Sequence, residues 1–297
     1  MERPEVGRPV ELEPGVRLVL APNPSPMTLW GTNTYIVGDA EVAVVDPGPD
    51  DPGHLASLLA ALRGTRVRAV LVTHAHLDHS PLAPRLARAV GAPVLGFGPP
   101  DAGRRPVMAA LAADGLAGGG EGVDTGFRPD ATLCDGDTIA VAGALLLALH
   151  TPGHFAGHLS FALGDLVLVG DHVMGWASTL ISPPDGDVAS FRDSTARLRS
   201  RGDRVLYPGH GAPVRDPVAR LDWLATHRLQ RERAILAALA PAPRSVSQIA
   251  SQVYTDIGPD LLPAAERNVL AHLIDLHERD LVVSTPRATA TGLFSMR

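Results

Sequence analysis

Short apolar runs alternate with turn-forming residues through the first hundred positions. The strand-like runs are apolar or β-branched, are separated by Pro, Gly, Asn and Asp, and lie at residues 16–20, 34–37, 42–45, 67–72 and 93–97. Apolar positions recur at helical spacing over residues 55–62 and 82–90. This order of strands and helices predicts an α/β architecture.

The alternation resumes after residue 130. Strand-like runs lie at residues 138–141, 145–149, 159–163, 166–169 and 205–207. A helix is predicted over residues 188–199, and Gly164-Asp165 is typical of a two-residue hairpin loop. The second half of the pattern therefore predicts further strands with at least one covering helix.

A glycine-rich segment, residues 98–129, separates the two series. It contains Gly118, Gly119, Gly120 and Gly122, and its only helical pattern is a short one at residues 107–113. We expect a solvated insertion that contributes little core, with an active-site lid as the alternative.

The pattern becomes almost entirely helical after Pro217. Residues 218–239 form one long helical pattern that ends before Pro241. Further helices are predicted up to residue 254 and over residues 263–280. A small hairpin is predicted from residues 281–284 and the neighbourhood of Phe294. We place a domain boundary near Asp216, which divides the chain into residues 1–215 and 216–297.

Composition narrows the classes of protein. The 297 residues are 45% hydrophobic and 20% charged, which is typical of a globular chain, and the net charge is −6. That charge argues against a surface that binds nucleic acid or an anionic membrane. The chain has no lysine, which excludes Schiff-base chemistry, and the single Cys134 excludes an internal disulfide. With no secretion signal and no apolar stretch of about 20 residues, we expect a cytoplasmic protein.

The candidate chemistry is concentrated in residues 73–80, directly after the strand-like run at 67–72. This segment reads Thr-His-Ala-His-Leu-Asp-His-Ser, so that His74, His76, Asp78 and His79 follow in close succession. Imidazole and carboxylate ligands suit a divalent ion such as zinc. The segment therefore predicts a metal site on a loop that follows a strand.

Three later segments have the same character, since each follows an apolar strand and places His or Asp beside Gly or Pro. They are residues 150–158 (HTPGHFAGH), 170–172 (GDH) and 207–211 (YPGHG). Strand ends that share one rim of a fold can bring such side chains together. The four segments together can complete the coordination of more than one ion.

This set of motifs, HxHxDH, TPGHxxGH, GD and PGHG, resembles the metallo-β-lactamase superfamily. Residues 31–35, 45–49 and 182–186 and the C-terminal helical unit extend the resemblance to the beta-lactamase-like protein 2 branch. The resemblance implies a four-layer αββα sandwich, of the broad α+β class, followed by a winged-helix-like domain.

The resemblance also implies two metal ions, most simply Zn²⁺, with Mn²⁺ or Fe²⁺ as alternatives. One ion would be held by His74, His76 and His154, and the other by Asp78, His79 and His210. Asp171 would bridge the two. Asp78 would also orient the hydrolytic water and accept its proton.

Four further residues are candidates for supporting roles. Asp46 and His158 are expected to brace the ligands from behind. His172 and Trp176 follow the bridging Asp171 and are expected to face the substrate.

The metal ligands alone do not identify the substrate, because the same centre can act on several classes of ester. The branch resemblance suggests a phosphodiester, such as single-stranded nucleic acid, whereas a glyoxalase II-like thioesterase would use the same ligand types on a small ester or thioester. A third reading is a nucleic-acid-binding protein with a retained metal core. The predicted helix at 263–280 carries Arg267 and Arg279 against Glu266, Asp275, Glu278 and Asp280, so a stable nucleic-acid complex is not expected. We expect the C-terminal unit to form a wall of the active-site cleft, and a homodimer contact is a further expectation for it.

Overall fold

The computed structural model describes residues 2–119, 122–141 and 143–297, so Gly120 of the glycine-rich segment lies outside the described residues. Seven strands form the first sheet in chain order. They are β1 (Val10–Glu13), β2 (Val16–Leu20), β3 (Asn33–Gly38), β4 (Glu41–Val45), β5 (Arg66–Leu71), β6 (Val94–Gly96) and β7 (Ala131–Thr132).

Five strands form the second sheet. They are β8 (Thr138–Val141), β9 (Ala144–His150), β10 (Leu159–Leu163), β11 (Leu166–Gly170) and β12 (Val205–Pro208). Their order is β12-β11-β10-β9-β8, antiparallel except for the parallel pair β11 and β12. Leu163 pairs with Leu166, which confirms the two-residue hairpin loop at Gly164-Asp165.

The two sheets face each other across a core of large side chains that includes Tyr35, Leu71, Phe161 and Tyr207. Because side chains alternate along a strand, neighbouring residues such as Val70 point to the opposite face of the first sheet. There they pack against α1 (Pro52–Ala61) and α2 (Ala83–Val90).

The outer face of the second sheet is covered in the same way. Val167 and Leu206 pack there against Phe191 of α4 (Val188–Arg201) and Leu221 of α5 (Pro217–Leu239). The order of layers is therefore helix, sheet, sheet, helix, and the predicted αββα sandwich is confirmed.

The glycine-rich segment differs from the expectation. It contains α3 (Pro106–Ala113), and the buried side chains of Met108 and Leu111 belong to the core of the C-terminal unit. Phe127 is buried against the first sheet. The expectation of a solvated insertion with little core was wrong, because two apolar residues three positions apart on a short helix are enough to dock it.

The C-terminal unit, residues 240–297 together with the end of α5, consists of helices and a small sheet. Its elements are β13 (Arg244–Ser245), α6 (Val246–Val253), a 3₁₀ turn (Pro259–Leu261), α7 (Leu262–Glu278), β14 (Val282–Thr285) and β15 (Leu293–Met296). The strands pair in the order β13-β15-β14. Helix α6 begins at a capping box, in which Ser245 and Gln248 exchange side-chain and backbone hydrogen bonds.

Helix α5 contributes to two cores. Leu221 and Leu224 pack in the sandwich, whereas Ile235 and Leu239 pack in the C-terminal unit. The division at residue 216 and the homodimer stay predictions. Within the described ranges, no helix combines the length and apolarity needed to cross a bilayer. The cytoplasmic location also stays a prediction.

Candidate metal centre

The ends of four strands deliver ligand-type side chains to one rim of the sandwich. The chain that follows β5 carries His74, His76, Asp78 and His79, whereas His154 follows β9, Asp171 follows β11 and His210 follows β12. All seven residues are buried. They form two groups, in each of which the candidate ligand atoms lie within 4.8 Å of one another.

The first group consists of three imidazoles, those of His74, His76 and His154. His76 Nδ1 lies 2.9 Å from His74 Nε2 and 3.1 Å from His154 Nε2. Burial lowers the pKa of all three rings, to about 3 for His76, and the neighbouring imidazoles lower it further. The three rings are therefore neutral at pH 7 and present lone pairs, which is the form that binds a metal ion.

The second group combines two imidazoles with two carboxylates. His210 Nε2 lies 3.1 Å from Asp78 Oδ2 and 3.3 Å from Asp171 Oδ2. His79 Nε2 lies 3.3 Å from Asp78 Oδ2 and 3.4 Å from Asp171 Oδ1. Asp171 also approaches the first group, since its Oδ2 is 3.8 Å from His154 Nε2. Asp171 therefore lies between the two groups.

In the second group, the imidazoles and the carboxylates shift each other's pKa toward the charged form. Burial lowers the pKa of His210, but Asp171 and Asp78 overcome that effect and raise it to about 10. Burial raises the pKa of both carboxyls, but His79 and His210 hold each well below its ordinary value. Without an ion, this group contains carboxylates and charged imidazoles in contact, and a metal cation would replace the protons of those rings.

The residues fit a pair of divalent ions. Four buried atoms, Asp78 Oδ1 and Oδ2, His79 Nε2 and Asp171 Oδ1, make no well-directed hydrogen bond among the described residues, although three of them lie 3.1–3.4 Å from a potential partner. Such atoms are costly unless something else satisfies them. Gly209 leaves space beside the Asp171 carboxylate, because the Cβ of any other residue at this position would lie 2.3 Å from Asp171 Oδ1. Nitrogen and carboxylate donors suit zinc, manganese or iron.

Asp46 contacts the loop that carries the candidate ligands. Its carboxylate accepts hydrogen bonds from the Thr73 backbone N–H and from Thr73 Oγ1, both at 2.8 Å, and from His79 Nδ1 at 2.9 Å. Since a carboxylate only accepts, Nδ1 of His79 carries the proton and Nε2 faces the cluster. Thr73 Oγ1 in turn lies 3.0 Å from His74 Nδ1 and orients that ring.

The segment at residues 31–35 holds the loop of His210. Asn33 Nδ2 donates to the carbonyls of Pro208 and Gly211, at 3.0 and 2.9 Å, and Tyr35 OH donates to Pro208 at 2.6 Å. The Gly31 carbonyl lies 3.2 Å from His210 Nδ1. This contact turns the other ring nitrogen of His210 toward the carboxylates.

The glycine-rich segment also touches the metal loop. The Leu77 N–H donates to the Gly122 carbonyl at 3.0 Å, and Ser80 Oγ donates to Asp124 Oδ2 at 2.7 Å. The segment therefore supports the loop that carries Asp78 and His79.

Several supporting residues were missed at the sequence level. The Leu180 carbonyl accepts a hydrogen bond from His154 Nδ1 at 2.7 Å, and Thr179 Oγ1 donates to the Asp171 carbonyl at 3.0 Å.

Buried Arg228 of α5 donates to the Thr179 carbonyl and holds this loop from the far side. Asn268 of α7 accepts from both Ile181 N–H and Arg228 Nη1, each at 3.1 Å. No local motif marks the contacts of Arg228 and Asn268, because their partners are 40 or more positions away.

The other candidate residues have different positions. His158 is buried beside His74, with ring centroids 5.2 Å apart, and its Nδ1 lies 2.9 Å from Thr151 Oγ1. His172 was expected to face the substrate, and that expectation is corrected: its ring packs against Phe191 and its Nε2 lies 3.2 Å from Thr195 Oγ1. His172 is fully buried under α4. Trp176 is 41% exposed and lines a cavity beside the cluster.

Two family models match the chain. Residues 27–210 match the Metallo-beta-lactamase superfamily, and residues 245–289 match the Beta-lactamase associated winged helix domain. Both matches agree with the folds of the regions they cover.

Three relatives illustrate the similarity. The chain is 31% identical over 246 residues to an atrochrysone carboxyl ACP thioesterase of Aspergillus chevalieri, an alignment that covers 80% of this chain and 68% of that protein. It is 30% identical over 286 residues to a beta-lactamase-like protein 2 homolog of Caenorhabditis elegans, covering 94% and 89%. The crystal structure of a metallo-beta-lactamase family protein from Thermus thermophilus superposes with a TM-score of 0.76 at 26% identity, covering 97% and 100%. The chain therefore belongs to the metallo-beta-lactamase superfamily and carries the winged-helix domain associated with it.

Proposed function

We propose that this protein, a metallo-hydrolase by its superfamily, uses two zinc ions to hydrolyse a carboxylic thioester or ester. The observation that carries the proposal is the convergence of seven buried ligand-type side chains in two touching groups. His74, His76 and His154 would hold one ion, and Asp78, His79 and His210 the other. Asp171, which approaches both groups, would contact both ions.

When bound, two such ions supply Lewis acidity that lowers the pKa of a water and polarises the carbonyl under attack. The protein supplies orientation and the acceptor for a proton. Asp78 is suited to that role because the neighbouring imidazoles keep its carboxyl ionised and neither of its oxygens makes a well-directed hydrogen bond. Asp46, the Gly31 carbonyl and the Leu180 carbonyl fix the ligand rings, so that little reorganisation is needed.

The cleft at the ligands is small and partly apolar. It has a volume of about 30 Å³ and is lined by Met27, Met174 and Leu180 beside the ligands. That is roughly the volume of one water molecule in the liquid. The cleft would therefore hold the reacting atoms and little else.

A thioester or ester is favoured over a phosphodiester for two reasons. Relatives such as the Aspergillus chevalieri protein are named as thioesterases. The residues that line the cleft, among those the structure describes, include no arginine that could pair with a phosphate. The phosphodiester suggested by the branch resemblance therefore becomes the competing outcome.

The test is metal analysis followed by a substrate panel. Purified protein should contain close to two metal ions per chain and hydrolyse thioesters faster than bis-p-nitrophenyl phosphate or single-stranded RNA. His76→Ala should lower metal content and abolish hydrolysis, whereas His227→Ala, on α5 outside both ligand groups, should change neither. A His76→Ala protein with full metal content and full activity would contradict the proposal.

A further inference from the structure

A second cavity lies beside the cleft at the ligands. It has a volume of about 200 Å³ and lies between two parts of the molecule. The sandwich contributes Met27, Met174 and Leu180, and the C-terminal unit contributes Tyr254, Leu261 and Ala264. The cavity therefore exists only because the C-terminal unit is docked on the sandwich.

The cavity adjoins the candidate metal centre. Met27, Met174 and Leu180 line both the cavity and the cleft. Leu180 also fixes His154, through its carbonyl. Since the cleft has room for little more than the reacting atoms, the rest of a substrate must extend into a neighbouring space, and this cavity adjoins it directly.

Two arginines near the cavity are paired with backbone carbonyls. Arg220 donates to the carbonyls of Met174 and Ala177, at 2.7 and 2.5 Å, and Arg228 donates to that of Thr179. These arginines hold the backbone of the wall. None of the described residues that line the cavity is an arginine, aspartate or glutamate. An anionic chain placed there would lose its hydration without gaining a cation.

From these observations we propose that the cavity is an acyl subsite, and that the substrate carries an extended apolar acyl group. The inference rests on the proposed function. A cavity of about 150 Å³ holds a benzene molecule, so this one has room for a single ring or an aliphatic chain of about six to eight carbons. The C-terminal unit would then set the acyl specificity of the enzyme.

The first experiment measures kcat/KM for acetyl, butyryl, hexanoyl and octanoyl thioesters of N-acetylcysteamine with the zinc-loaded protein. Burial of each added methylene should raise kcat/KM by up to about fourfold, so the six methylenes between acetyl and octanoyl set a ceiling of roughly 4,000-fold. Because burial of the chain is incomplete, we expect a rise of at least about 100-fold. Ala264→Phe fills the cavity and should lower the octanoyl value by at least tenfold while leaving the acetyl value within twofold. Ala237→Phe, at an exposed position in the C-terminal unit, should change neither value.

A second variant and a binding measurement test the subsite even if Ala264→Phe does not fold. Leu261→Glu places a charge at the cavity wall from a partly exposed position, so it should retain the fold and still penalise octanoyl selectively. Calorimetric binding of octanoate against acetate reports on the cavity without turnover, because the two share a carboxylate and differ only in chain length. Octanoate should bind at least tenfold more tightly, and Ala264→Phe should abolish the difference.

The outcomes separate the two proposals. If no thioester is hydrolysed but octanoate binds tightly and Ala264→Phe removes that preference, the acyl subsite stands and the proposed function fails. Equal kcat/KM values along the series, together with equal binding of acetate and octanoate, would overturn the subsite and leave the hydrolase. An equal loss on all four substrates in the Ala264→Phe and Leu261→Glu proteins would also overturn it.

Discussion

The histidines of the metal centre and His272 of α7 are equally buried but have different surroundings. His79 and His210 lie within 3.4 Å of two carboxylates, and the candidate ligand atoms of these four residues lie within 4.8 Å of one another. Both ring nitrogens of His272 lack a partner among the described residues, and the ring lines an apolar cavity between α4, α5 and α7. Burial of an imidazole is therefore no sign of function by itself, whereas several candidate ligand atoms that lie close together are.

The pKa values express the same contrast. The carboxylates raise the pKa of His210 to about 10, whereas burial and nearby Arg228 lower that of His272 to about 3. Substitutions in the metal centre should therefore remove metal and activity with little loss of fold. Substitution of His272 should change stability and leave the activity intact.

The largest effect is expected for Asp171→Asn, because Asp171 is the residue that approaches both ligand groups. The amide keeps the size but removes the charge. We expect loss of both ions and a fall in turnover on the order of 10⁴-fold, measured by elemental analysis and initial rates. Asp165→Asn, at the exposed hairpin loop, is the matched control and should keep both ions. Full metal content in the Asp171→Asn protein would contradict the assignment of Asp171 to the metal centre.

Asp78→Asn should act mainly on rate. The change removes a proton acceptor and weakens the second ion while His79 and His210 remain. Turnover should fall by about 10²–10⁴-fold, with a melting temperature close to that of the wild type. An unfolded variant, or one with normal turnover, would show that Asp78 is structural or idle and would refute the proposed mechanism.

Asp46→Asn should have an intermediate effect. The substituted amide would lose the charge that holds His79 Nδ1 and could not accept, in the same way, all three hydrogen bonds that the carboxylate accepts. Residues behind metal ligands typically contribute about 10–100-fold in metal affinity. We expect a loss of that size at the second ion, measured by competition with a chelator. An unchanged affinity would show that Thr73 alone holds the loop.

The smallest effect concerns stability and pH. The pKa of His272 is about 3 in the folded protein and roughly 6.5 in an unfolded chain, so between these values the unfolded state binds more protons. The free energy of unfolding should therefore fall as pH decreases below about 6.5, by about 2 kcal/mol at pH 5. His272→Leu should remove that contribution, which chemical denaturation of both zinc-loaded proteins at pH 7.5 and pH 5 would measure. Activity at pH 7.5 should be unchanged. Parallel losses of stability in the two proteins would show that His272 is protonated without penalty.

Much of the fold and the ligand set could be predicted because the information is local. Strands and helices follow from periodicity, and His74, His76, Asp78 and His79 lie within six consecutive residues. The docking of α3 could not be predicted, since Met108 and Leu111 gain their role only from a partner surface more than 100 positions away. The inward direction of His172 was missed for a related reason: a residue beside a ligand was assumed to share its surroundings, yet it points to the opposite side of the chain.

The contacts that orient the ligands were beyond local reasoning altogether. Arg228 on α5 and the Thr179 carbonyl meet across 49 positions, and Asn33 reaches the Pro208 carbonyl across 175. Such contacts depend on how layers pack, and one chain without its fold does not specify them. The cavity beside the cleft belongs to the same class, because its two walls come from different units.

Helix α5 has a consequence for protein engineering. It is one unbroken element of 23 residues, about 34 Å long at 1.5 Å per residue, and its two halves belong to different cores. A chimera that joins this sandwich to the C-terminal unit of a relative should therefore be spliced after Leu239 and retain the whole helix. A junction at residue 216 would exchange Leu221 and Leu224 along with the donor unit and leave the face of α4 against a foreign surface.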